Sequence, residues 1–331
     1  MSLARRSSVR CTGGDEYRYH PFMNKIFPTA ARSASFAHAV LEDAFSYYGM
    51  CDASAAAALG PDLFVVANDE RNQLQVYRRG VARHVAEVDL SPFLGTKKDK
   101  ESDLEGAASV GERIYWISSH GRDKKGKFTE SRHRFFATQL RNGELVPVGR
   151  PYAGLLNDML AAPQLQRYPL AQASGLMPEA DGAFNIEGLT ATPLGALLIG
   201  LRNPVARGMA LLIPLLNPAA VIDGETATLG EAIELDLGGL AIRSIDLVVD
   251  TYVIVAGPPA DRGRFALFQW SGKAQERPVE VAQNDFGGLR PEGMFAIPNT
   301  RKLQILSDDG GKQAKDMLPG HQSFRSVTIT L

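Results

Sequence analysis

Short apolar runs recur along the chain, rich in β-branched and aromatic residues and bounded by glycine, proline or charge. The clearest are "DLFVVAND" (62–69), "RIYWISS" (113–119), "ALLIGLRN" (196–203), "TYVIVAG" (251–257) and "KLQILSDD" (302–309). Runs of about four to eight residues with breakers at both ends predict strands rather than helices. Each follows a second strand-like segment that opens on an acidic or polar residue: "CDASAAAA", "DLEGAASV", "NIEGLTAT", "AIRSIDLV" and "RPEGMFAI".

Phasing the chain on that pattern gives five units, opening at Asp52, Glu105, Glu187, a weaker match at Ser244, and Glu292. Successive openings lie about 50 residues apart, the spacing of propeller blades built from four short strands. Outer strands are expected at "QLQVYRRG" and "HVAEVDL", "HRFFATQL" and "ELVPVG", "GMALLIPLL" and "AIELDL", and "RFALFQW" and "RPVEVAQ". The fifth unit ends on "SFRSVTITL" without an outer strand, and a segment within 31–45 is expected to supply it, removing an exposed edge. The longer interval between Glu105 and Glu187 holds an amphipathic stretch near 152–170, with Leu155, Leu156, Met159 and Leu160 on one helical face. Such a helix is either a lid over the site or a decoration packed on the rim.

The expected fold is therefore an all-β, single β-propeller with one helical insertion; five blades are favoured and six are the main alternative. A two-sheet sandwich also has many short strands, but it gives no reason for an acidic residue at the same phase of each unit. Residues 1–15 are expected to be a disordered N-terminal segment, and 16–331 a single domain closed by pairing of its N- and C-terminal segments.

Composition narrows the function classes. At 331 residues, 44% apolar and 22% charged, with a net charge of −1, the chain gives no reason to expect nucleic acid or membrane partners. No run approaches the roughly 20 apolar residues of a membrane helix, and the expected location is cytoplasmic. Two cysteines, Cys11 and Cys51, are too few for a thiolate metal site or a disulfide framework. A P-loop, a G-x-S-x-G elbow, an H-E-x-x-H helix and a Rossmann glycine pattern are all absent from the sequence.

The segments "DLEGAA", "NIEGLT" and "RPEGM", with "LLIGLRNP" and "LQILSDDG", resemble a bacterial family of propellers known as domain of unknown function 3616, across most of residues 45–331. That resemblance implies a propeller and no activity. A weaker similarity, to the phytase-linked esterase-like propeller family, implies ester hydrolysis.

In a propeller the segments that open the innermost strands share one face with the loops joining second and third strands. Asp52, Glu105, Glu187 and Glu292 are thus expected to ring a channel mouth, joined by Asp308 and Asp309. Carboxylates crowded together need compensation. A Ca2+ or Mg2+ ion held by these six acids is one solution, and pairing with Arg202, Arg243 or Arg290 is another. As a third possibility, each glutamate accepts backbone N–H bonds from the next blade while its glycine permits close packing.

The loop 118–134 carries Arg122, Lys124, Lys125, Lys127, Arg132, His133 and Arg134. It is either a solvated tip or a basic flap that draws an anionic ligand to Arg122, Arg202 and Asn203. His120, with Glu105, is the candidate general acid or base. Two functions stay open: a scaffold that binds a small anionic ligand or a protein partner, and a metal-assisted hydrolase of phosphate or carboxylic esters.

Overall fold

The computed structural model describes residues 40–42, 44–68, 71–97, 100–178, 180–260, 262–281 and 286–331. The expectations for residues 1–15 and for 31–39 lie outside the described residues.

Two short N-terminal strands, β1 (Val40–Leu41) and β2 (Phe45–Tyr48), precede the first complete sheet. That sheet is β3 (Ala53–Ala58), β4 (Leu63–Asn68), β5 (Gln73–Arg78) and β6 (Ala86–Asp89), antiparallel in chain order. The second is β7 (Leu104–Val110), β8 (Arg113–Ser118), β9 (Phe135–Arg141) and β10 (Glu144–Tyr152). The third is β11 (Asn185–Ala191), β12 (Leu197–Asn203), β13 (Ala210–Leu215) and β14 (Ile233–Leu235). The fourth is β15 (Ala241–Val248), β16 (Thr251–Gly257), β17 (Ala266–Trp270) and β18 (Val279–Glu280). The fifth has β19 (Pro291–Ala296), β20 (Lys302–Ser307) and β21 (Ser323–Thr330), and β1 and β2 both pair with β21 as its outer edge. The innermost strands β3, β7, β11, β15 and β19 pack against one another in a closed ring. The chain is a five-bladed propeller, and every outer strand expected from the sequence is present.

Closure comes from β1 and β2, which end slightly beyond the expected window, with Val40 opposite Thr330 and Tyr48 opposite Ser323. It is sealed by an aromatic cluster between the fifth and first blades. The Tyr47 ring lies 5.1 Å from Phe64, 5.3 Å from Tyr77 and 5.4 Å from Phe324, centroid to centroid. Alternate faces of the remaining strands bury Ile, Leu and Val between neighbouring blades, each side chain contributing about 1.5–3 kcal/mol.

The amphipathic stretch forms α1 (Leu155–Ala161), one turn of 3-10 helix and α2 (Leu170–Ala173). Leu155, Leu156 and Met159 are buried with Leu165, Val221 and Ile222 beside the third blade, so this face belongs to the core and does not line a pocket. Asp158 fastens the helix, accepting the Tyr152 hydroxyl and, at 3.0 Å, the Ala227 N–H. Past these helices, Pro178, Ala180 and Asp181 line a cavity with Arg202 and Asn203. Among the described residues, no helix is long and apolar enough to cross a membrane.

Candidate functional site: the ion-paired channel mouth

Each innermost strand breaks register near its start, β11 twice in succession. Leu104 faces Ser118 but Gly106 faces Ile117; Ile186 faces Leu201 but Gly188 faces Gly200; Pro291 faces Ser307 but Gly293 faces Leu306. Ala53 and Ala55 flank the same irregularity in β3, as do Ile242 and Ser244 in β15. A bulge leaves one residue outside the ladder and re-aims its side chain. The five bulged residues are Ser54, Glu105, Glu187, Arg243 and Glu292.

This ring corrects the sequence phasing at two positions. Asp52 stands two residues before the bulge, and Ser244 stands one residue after it, where the second, third and fifth blades carry glycine and the first carries Ala55. The glycines are there because the centre is crowded: a Cβ on Gly188 meets Ile242 Cγ2 at 2.8 Å and the Gly200 Cα at 3.2 Å, and one on Gly106 meets Leu189 Cβ at 2.8 Å.

Arg243 changes the electrostatics of the ring. Its Nε lies 2.7 Å from Glu187 Oε2, and its Nη2 hydrogen-bonds Glu292 Oε1. Arg202 Nη1 takes the other Glu187 oxygen at 3.0 Å. Burial alone lowers the Arg243 pKa, but Glu187, Glu292 and Glu105 outweigh it and hold the guanidinium firmly charged. Glu292 is pushed up to about 7, by burial first and then by Asp308 and Glu187, against the pull of Arg243 and Arg290.

Asp52, Asp308 and Asp309 also face cations of the chain itself. Asp52 lies 3.1 Å from Lys315 Nζ and accepts the Cys51 thiol at 3.2 Å; burial raises its pKa. Asp308 sits 3.6 Å from Arg290 and accepts the Gly310 N–H. Asp309 turns away to Arg325, taking its backbone N–H at 2.8 Å and its Nη2 at 2.7 Å. Burial raises the Asp309 pKa, and these bonds more than offset it, leaving the group below its ordinary value. The six acids proposed as metal ligands do not converge on one point. Among the described residues, no group of three or more His, Cys, Asp or Glu is arranged to hold a metal ion. All three arginines expected as alternative partners do pair with acids.

The basic loop divides in two. Lys124, Lys125 and Lys127 are exposed at its tip, whereas Arg132, His133 and Arg134 are buried. Arg132 binds Glu101 and Asp103, just before β7. Arg122, a candidate ligand contact, instead donates to the Ser174 carbonyl at 2.8 Å and the Gly126 carbonyl at 3.0 Å, tying the loop to the insertion. His120 has a left-handed backbone, φ 54°, and is 1% exposed. Its Nδ1 is 2.8 Å from the Ser118 carbonyl, which makes Nδ1 the donor, and its buried Nε2 has no partner. Burial, then His133 and Arg134, lowers its pKa to about 3. A histidine neutral at pH 7 carries no proton on Nε2 to give as a general acid, while the free Nε2 lone pair that a general base would use is buried.

Arg202 and Asn203 do reach a pocket. They line a cavity of about 280 Å³ with Pro178, Ala180, Asp181, Pro259 and Ala260, between the insertion and the third and fourth blades. Arg202 Nε and Asn203 Nδ2 both donate to the Pro259 carbonyl, each at 3.0 Å.

The molecule is thus a five-bladed propeller with an ion-paired mouth. Residues 154–304 match the family described as protein of unknown function DUF3616, from the insertion to the middle of the fifth blade. No curated protein matches. Among solved structures the chain is similar to the PQQ-bound form of an aldose sugar dehydrogenase from Streptomyces coelicolor, at 12% identity and a TM-score of 0.45, covering 89% of this chain and 100% of that one. It is also similar to a putative oxidoreductase (glucose dehydrogenase) from Thermus thermophilus, at 14% identity and a TM-score of 0.46, covering 87% and 100%.

Proposed function

We propose that this chain is a binding propeller that takes a small anionic ligand at the mouth, with the ion-paired ring as its rigid floor. The observation that carries the reading is the shared Pro259 carbonyl: two donors, from Arg202 and Asn203, use one acceptor at the wall of the pocket. An incoming oxyanion can take one of them while the other keeps the carbonyl satisfied, so the polar cost of binding is small. Asp181 supplies an acceptor on the same pocket for a hydroxyl or amine of the ligand. The metal-assisted hydrolase is less well supported, because Asp52, Glu187, Glu292, Asp308 and Asp309 already face arginines or a lysine.

Thermal melts test both readings, since anything that binds only the folded state raises the melting temperature by mass action. Succinate and inorganic phosphate are the probes. At least one is expected to raise the melting temperature of the wild type and to leave that of Asn203→Ala unchanged. Calcium or magnesium in excess over EDTA is expected to produce no shift. A large, reversible metal-dependent shift without any anion effect would reverse the assignment and favour the hydrolase.

A further inference from the structure

The channel has a second opening, on the face where the innermost strands end. There a cavity of about 630 Å³ is lined by residues from all five blades. Its lining is rich in alanine, with Ala56, Ala58, Ala107, Ala191 and Ala296 among the wall residues. The volume falls within the roughly 300–1,000 Å³ of pockets that hold small molecules.

Two carboxylates stand on this wall, the exposed Glu112 and the half-buried Asp246. Asp246, on β15, lines the cavity and is braced by neighbouring blades. Its Oδ1 accepts the Leu247 N–H at 2.8 Å and the Thr190 hydroxyl at 3.3 Å, and its Oδ2 accepts the Ala296 N–H at 2.7 Å. An ionised carboxylate has about four lone-pair sites, and these three bonds leave room on Oδ2. What Asp246 lacks is a cation: among the described residues no Lys, Arg or His is paired with it, and no basic group acts on its ionisation. At the mouth, by contrast, Glu187 and Glu292 each touch Arg243. The other ionisable groups near Asp246 supply no positive charge. Glu112, on the same cavity, accepts from Gln139 Nε2, and Tyr252 gives its hydroxyl to the Ala191 carbonyl.

We propose that this end of the channel binds a small organic ammonium ion, its nitrogen on Asp246 and its apolar body against the alanine-rich wall. A carboxylate removed from water without a partner is costly, and a ligand that brings the missing cation recovers that cost. Burial pushes the Asp246 carboxyl up to about 6, so the site loses its charge in mild acid. This site is separate from the anion pocket at the mouth, and either can be present without the other.

Isothermal titration at pH 7.5 with benzylammonium, benzyl alcohol and benzoate tests the proposal on the full chain. Benzylammonium is expected to bind at least about tenfold tighter than benzyl alcohol, a difference of about 1.4 kcal/mol, and benzoate is expected not to bind. Asp246→Asn should remove that preference, and so should lowering the pH to 5. Asparagine, however, can set an amide N–H against the Ala296 N–H, so the variant tests folding as well as charge. Where it fails to fold, Ser109→Trp decides: Ser109 is exposed on the cavity wall and takes no part in bracing Asp246, so the indole should block binding at an unchanged melting temperature. Equal affinity for benzylammonium and benzyl alcohol, or benzylammonium binding that survives in the folded variants, overturns the assignment. Asn203→Ala should leave this titration unchanged.

Discussion

Arg243 of the fourth blade and Glu187 of the third meet at the channel mouth with Nε and Oε2 2.7 Å apart, both side chains 5% exposed. The same guanidinium reaches Glu292 of the fifth blade, so one arginine joins three consecutive blades. Removing one partner of a buried ion pair strands the other charge, which costs about 3–5 kcal/mol. Arg243→Met is therefore expected to lower unfolding stability by about that amount in urea titrations at pH 7.5. Part of the loss should return at pH 5, where Glu292 carries its proton. A loss under about 1 kcal/mol would mean that the pair is no more than an exposed salt bridge.

Steric room at the centre gives a second prediction. A methyl on Gly188 meets Ile242 at 2.8 Å and the Gly200 backbone at 3.2 Å, and backbone cannot swing aside as a side chain can. Gly188→Ala should cost about 1–3 kcal/mol by overpacking. Gly175→Ala is the control, because its nearest neighbour is the Gln172 carbonyl at 3.3 Å and its backbone is not left-handed. Thermal melts of the two variants should differ clearly, and equal melting temperatures would show that the third and fourth blades can separate at little cost.

Closure of the ring is tested at Tyr47, which is 2% exposed among Phe64, Tyr77 and Phe324. Truncating a buried aromatic typically costs about 3–5 kcal/mol. Tyr47→Ala should lose that much stability and should speed hydrogen exchange in β21, to which β2 is paired, before it does so in β12. Uniform exchange across both strands would indicate that the N-terminal segment is not what holds the fifth blade.

The blade phase was legible because three of the five inner strands carry the same Glu-Gly pair, at 105–106, 187–188 and 292–293. The bulge that gives the pair its meaning was not, because a register slip is a property of two strands and leaves no mark in either one alone. Ser54 and Arg243 occupy the bulge without resembling glutamate, so matching by residue type selected Asp52 and Ser244 instead. Arg243 was recognisable as a possible partner for the acids, and its place among them came only from the fold. Asp246 was not foreseen: it is one acid in an ordinary strand, and only the closed ring of blades puts it on a cavity beside the Ala296 N–H. The buried half of the basic loop was equally hidden, since Arg132 meets Asp103 across a long stretch of chain.

Two buried histidines make the stability depend on pH in a definite direction. His120 and His133 face each other with ring centroids 5.2 Å apart, and burial first, then neighbouring positive groups, lowers them to about 3 and about 4 from an ordinary 6.5. Between those values and 6.5 the unfolded chain takes up protons that the folded chain refuses. Their contribution is therefore complete above pH 6.5 and is lost as the pH falls toward 4. Glu292 and Asp246 act in the opposite sense: pushed up to about 7 and about 6, they take protons in the folded state first and add stability as the pH falls. The balance can be resolved by substitution. His120→Asn suits the left-handed backbone at that position, and combined with His133→Asn it should leave only the acids, so that stability from urea titrations rises between pH 7 and pH 5 relative to the wild type. Parallel pH profiles for the two proteins would mean that the histidines titrate near their ordinary value and that the loop is open to water.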